Sequence, residues 1–133
     1  GVRLDAVQTE GGAPFERAWR RIGELGLGRE AVPSRWADLM TPWDDPHSAA
    51  DGILDDETYD WLGVVDVVRR SGGRPVVVPE TAVLRAHELG RAAGIPVSAT
   101  GSAGLAALLV PDGAPVPGEQ VAVIFSGVDR GSG

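Results

Sequence analysis

Val97-Ser98-Ala99-Thr100-Gly101-Ser102-Ala103-Gly104-Leu105-Ala106-Ala107-Leu108-Leu109 passes from a short extended run, through hydroxyls beside two glycines, into an almost wholly apolar segment. The pattern predicts a buried helix from about Ser102 to Val110. The first N–H groups of a buried helix need partners that water cannot supply. Thr100, Ser102 or a bound ligand would satisfy them here. Gly101 and Gly104 remove side chains where another group can approach the backbone, and a helix start favours an electron-rich partner. The same residues also make an ordinary N-cap, with Thr100 as the capping residue and the glycines easing helix–sheet packing.

Outward from this stretch, the apolar runs alternate between strand-like and helix-like. Val2–Gln8 reads as a strand ended by Gly11-Gly12. Pro14 suits a first helical turn, and Phe15, Ala18, Trp19, Ile22 and Leu25 recur at i, i+3, i+4, i+7 and i+10, with Gly26 in the capping place. Asp55-Asp56-Glu57 suit a helix start and Arg69-Arg70 its end before Gly72-Gly73, with Trp61, Val64, Val65 and Val68 as the stripe between. Arg74–Pro79 and Gln120–Phe125 are short, continuous apolar runs of the kind found in strands covered on both faces. Glu80–Ala93 is a further helix closed by Gly94, carrying His87 without assigned chemistry. This order predicts an α/β domain, with a mostly parallel sheet and helices on both faces in a three-layer αβα arrangement. Ligands on such sheets gather at the carboxyl ends of the strands, which makes Thr100 and Ser126-Gly127 the candidate rim.

Composition narrows the chemistry. The 133 residues suit a single domain, expected over residues 1–130 with a disordered tail at 131–133. No apolar run is long enough to span a membrane and no signal-like segment opens the chain, so a cytoplasmic protein is expected. The net charge is −7, and the segment from Trp36 to Val68 holds nine of the nineteen acids and no arginine, which argues against nucleic acid as a partner. There is no cysteine, so thiolate catalysis, disulfides and zinc–sulfur sites are excluded. All twelve basic residues are arginine.

Two local patterns carry little. Gly26-Leu27-Gly28-Arg29-Glu30-Ala31 matches a dinucleotide loop in letters, but it follows a helix where that loop follows a strand. Asp44, Asp45, His47 and Asp51 are metal-ligating types without the spacing of a known metal site, and a solvated acidic turn accounts for them. They lie at and just beyond the end of the Pro-rich segment from Ala31 to His47, which reads as a long loop whose Trp36 and Trp43 either pin it to the body, the favoured reading, or belong to an interface.

Three segments in order, Ser48–Trp61, Thr100–Ala106 and Val123–Arg130, resemble the C-terminal half of fold-type-II pyridoxal-phosphate enzymes, nearest to threonine synthase and its relatives. The resemblance covers nearly the whole chain. It implies pyridoxal 5'-phosphate as cofactor, with Thr100 donating a hydrogen bond to the pyridine nitrogen and Gly101 beside it. It also implies that Ser48–Ile53 runs along the active-site side of the sheet, and that the complete enzyme is a homodimer acting on a small amino acid. A neutral hydroxyl leaves the ring nitrogen largely unprotonated, which suits elimination or replacement at the β or γ carbon. The family's Schiff-base lysine and phosphate-binding glycine loop belong to an N-terminal half. This chain has no lysine, and neither Gly11-Gly12 nor Gly72-Gly73 sits in a context like that loop. The expectation is therefore a portion that holds one edge of the cofactor and is silent alone; a truncated or split, non-catalytic binding module is the other reading.

Overall fold

A computed structural model describes residues 1–131. It is a small α/β domain with two parallel strands, β1 (Ala6–Thr9) and β2 (Pro75–Val78). Five helices accompany them among the described residues: α1 (Pro14–Glu24), α2 (Trp36–Leu39), α3 (Trp61–Ser71), α4 (Glu80–Ala92) and α5 (Ala99–Ala106). The strands pair in register, Ala6 opposite Pro75 through Thr9 opposite Val78. Glu10 continues the ladder by donating its N–H to the Val78 carbonyl at 2.8 Å.

Two apolar cores follow from the periodicities. Phe15, Ala18 and Ile22 of α1 meet Trp61, Val65 and Val68 of α3, together with Val32, Leu39 and Met40, and Ala6 packs against this group. Val76 and Val78 of β2 meet Ala82, Val83 and Ala86 of α4 and Ala103 and Ala106 of α5, and Val7 packs against that one. Successive residues of β1 thus serve different cores, as the two-residue period of a strand requires. Helices α1 and α4 stand where the apolar spacing puts them. Gly72, which ends α3, has φ +74°, a left-handed conformation suited to the C-terminal cap of a helix.

Four expectations need correction. The first strand is Ala6–Thr9 and not Val2–Gln8, because Leu4 and the residues before it are exposed beyond the end of β2. Asp55-Asp56-Glu57 do not open α3; the chain bends there, and the helix begins at Trp61 after Asp60 with φ +49°. The segment from Ala31 to His47 is not a continuous loop, since a 3₁₀ turn at Pro33–Arg35 leads into α2. Among the described residues Gln120–Phe125 forms no strand and joins no ladder, and Val121, Ile124 and Phe125 are exposed. In the tail, the Gly131 N–H donates to the Asp129 carboxylate at 2.9 Å; Ser132 and Gly133 lie outside the described residues.

The tryptophans do pin the segment from Ala31 to His47. Trp36 stacks edge-on against buried Trp61, ring centres 5.1 Å apart, and the Arg17 guanidinium lies 4.9 Å from the centre of the Trp43 ring. Arg17 also donates to the carbonyls of Thr41 and Pro42, and Arg21 to those of Asp38 and Leu39 and to the Thr41 hydroxyl. Burial, with the neighbouring positive charges of Arg21 and Arg20, holds the Arg17 guanidinium below its ordinary pKa.

Candidate functional site

The N-terminus of α5 is where distant parts of the chain meet. The helix starts at Ala99, earlier than the apolar run suggests, and its N-cap is Ser98, not Thr100. The Ser98 hydroxyl accepts from the Gly101 N–H at 3.0 Å, and the Ser98 carbonyl accepts from the Ser102 N–H at 3.0 Å. Thr100 therefore sits inside the first turn, with its side chain free of capping duty. Buried Ser102 turns its hydroxyl back on the carbonyls of Ser98 and Ala99.

Thr100 instead joins the helix to the 3₁₀ turn at Asp51–Ile53. Its Oγ1 accepts from the Gly52 N–H at 2.9 Å and donates to the Asp51 carboxylate at 3.4 Å. A Cβ on Gly52 would come within 2.8 Å of Thr100 Cγ2, so only glycine allows this approach. Gly101 is in the same position against Gly127, whose backbone occupies the space a Cβ would need. The Ser98 N–H donates to the Gly127 carbonyl at 3.0 Å and the Ser126 N–H to the Gly101 carbonyl at 3.2 Å. What approaches Gly101 is thus the chain's own segment Ser126-Gly127.

Carboxylates fix the surrounding loops. Glu80, the first residue of α4, accepts from the Ser48 hydroxyl at 2.7 Å and the Ala49 N–H at 2.6 Å. Its own N–H donates at 3.1 Å to the carboxylate of Glu10, just beyond β1. Segments 48–53, 98–101 and 126–127 are in this way gathered near the carboxyl ends of both strands, the side where open α/β sheets bind ligands. A cavity of about 240 Å³ adjoins the Asp51–Ile53 turn, lined by Ile53, Asp55, Thr58 and Tyr59 and, across from them, Gln8 and Phe15.

Thr100, Gly101, Ser126 and Gly127 are therefore brought together as the sequence suggests. Ser98, Glu10 and Glu80 were not singled out. Ser98 had a readable signal, a serine three residues before Gly101; Glu10 and Glu80 act through pairings across the fold that no local pattern carries. Asp44, Asp45, His47 and Asp51 do not converge, and among the described residues no group of three or more His, Asp or Glu side chains is placed to hold a metal ion. His47 instead holds its Nδ1 at 2.9 Å from the Asp45 carbonyl. Also among the described residues, no helix is long and apolar enough to cross a membrane. No protein-family model, curated protein or solved structure matches the chain.

Proposed function

We propose that this chain is the C-terminal portion of a pyridoxal-phosphate-dependent lyase or synthase of fold type II, similar to threonine synthase. Its substrate would be a small amino acid, undergoing elimination or replacement at the β or γ carbon. The observation that carries the proposal is convergence. The three segments on which the resemblance rests are far apart in sequence, yet parts of all three meet around Thr100 at the carboxyl ends of the strands.

The donor set suits the cofactor's ring nitrogen. The Gly52 N–H occupies a lone pair of Thr100 Oγ1, which leaves the hydroxyl to act as a donor. Its present acceptor, Asp51, is at the long end of hydrogen-bond range, so the proton can be turned to a closer ring nitrogen at little cost. When bound, pyridoxal phosphate supplies the electron sink for the reaction. Gly101 holds Ser126-Gly127 at the rim, and the adjoining cavity beside Ile53 contributes part of the substrate pocket. The sheet is proposed to carry helices on both faces in three layers. The division of Ala6 and Val7 between two cores supports this. The complete enzyme would be a cytoplasmic homodimer whose N-terminal half brings the lysine.

The test is made on the complete enzyme. Thr100→Val should lower kcat/KM about tenfold, the equivalent of one hydrogen bond, and weaken pyridoxal-phosphate retention on dialysis, while Thr100→Ser preserves both. Full activity and full cofactor retention in Thr100→Val would overturn the role. The absence of lysine favours one other reading, a split product that binds without catalysis. The intact mass of the native gene product separates the two: a mass near 13.8 kDa selects the split product, and a much larger one the complete enzyme.

A further inference from the structure

Arg17 and Arg21 stand one turn apart on the same face of α1, and both guanidinium groups reach Thr41. Nη2 of Arg17 donates to the Thr41 and Pro42 carbonyls, while Nη1 of Arg21 donates to the Thr41 hydroxyl at 3.0 Å and to the Asp38 carbonyl at 3.1 Å. Like charges at this helical spacing repel, and here both are drawn to one residue. Among the described residues neither has a carboxylate within ion-pair distance, although acids outnumber arginines nineteen to twelve. The acids at hand are committed elsewhere. Glu16 and Glu24 pair with Arg20, and Asp38 gives its carboxylate to Arg35 at 2.8 Å while its carbonyl takes Arg21. Neutral carbonyls answer hydrogen bonds but leave two full charges in place. Each guanidinium offers its N–H donors in a rigid fork, and only one nitrogen of each fork is engaged. The Arg17 Nε is buried without a partner among the described residues, and the Trp43 ring 4.9 Å away steadies Arg17 without neutralising it.

We infer that Arg17 and Arg21 together bind a phosphate-type dianion, as inorganic phosphate or as the head of a phosphate monoester. Two fixed positive charges match the two negative charges of such a group, and the open N–H groups of two forks match its several acceptor oxygens. A single carboxylate would leave one guanidinium unmatched. The lowered pKa of Arg17, caused by burial and then by the charges of Arg21 and Arg20, reports the positive field that a bound dianion would relieve. The site lies where α1 faces residues 38–43. It shares no residue with the cluster around Thr100, and the inference does not depend on the cofactor reading.

The test is calorimetric titration of the 133-residue chain with inorganic phosphate, at an ionic strength held constant with chloride. Saturable binding of one phosphate per chain is expected. Arg21→Gln should weaken it about tenfold or more, and Arg21→Lys, which keeps the charge but loses the fork, by less. Arg85→Gln, which removes an arginine of α4 already paired with Glu88, should leave binding unchanged. Arg21 also ties α1 to residues 38–41, so each variant is checked by far-ultraviolet circular dichroism. A second readout uses the parent: phosphate should raise its urea midpoint, and this shift should shrink in Arg21→Gln. O-phosphoserine, titrated in the same way, separates the two sources. Tighter binding than inorganic phosphate assigns the site to an ester, and equal or weaker binding assigns it to the free ion. A parent chain with neither saturable binding nor a phosphate-dependent midpoint overturns the inference, and so does binding that Arg17→Gln and Arg21→Gln both leave unchanged.

Discussion

At the scale of single residues, the α5 N-terminus depends on Ser98 and Gly101 for different reasons. Ser98 accepts the Gly101 N–H, so Ser98→Ala should cost about 1 kcal/mol in urea unfolding, as for other lost N-caps. At Gly101 the difficulty is space. A methyl group would meet the Gly127 backbone, which cannot swing aside as a long side chain can, so Gly101→Ala should destabilise by about 1–3 kcal/mol in the same experiment. A Gly101→Ala protein as stable as the parent would mean that Ser126-Gly127 is not held where it is described. Thr100 is the reverse case. It caps nothing and its two partners are exposed, so its replacement should cost little in stability; under the proposed function the loss would be felt first in cofactor retention.

At the scale of elements, legibility follows how a segment gets its stability. Helix α1 was readable because a one-sided stripe of Phe15, Ala18 and Ile22 needs only its own spacing to be recognised. Phe15 lies at the centre of that stripe, 1% exposed, so Phe15→Ala should cost about 3–5 kcal/mol in thermal or urea unfolding; a loss below 1 kcal/mol would show that this core closes around the gap. The start of α5 was misplaced by three residues, because a helix apolar on every side has no stripe to mark its first turn and the hydroxyls at 98, 100 and 102 compete for the cap. Gln120–Phe125 shows the opposite difficulty. Its residues announce a strand, but a strand is completed only by its neighbour, and sequence does not say whether that neighbour is present. The candidate site was half legible on the same grounds: Thr100, Gly101, Ser126 and Gly127 stand beside local chain breaks, whereas the Glu10–Glu80–Ser48 chain exists only after folding.

At the scale of the whole molecule, the exclusive use of arginine has a chemical consequence. Guanidinium groups stay protonated and do not condense with aldehydes as amines do, so no side chain within these 133 residues can be fixed to pyridoxal phosphate. Treatment with pyridoxal phosphate and borohydride should therefore label no side chain from Val2 to Gly133, as read by peptide mapping; a pyridoxyl group within that stretch would contradict this. Within the acid-rich stretch from Trp36 to Val68, Trp36 of α2 rests on Trp61 of α3, and the Arg17 and Arg21 contacts tie the stretch to α1. Two indoles at 5.1 Å, one of them wholly enclosed, form an excitonic pair. The molecule therefore carries its own optical gauge: the splitting of the coupled indole transitions persists while α2 stays seated on α3 and collapses when that contact opens, whatever becomes of the strands.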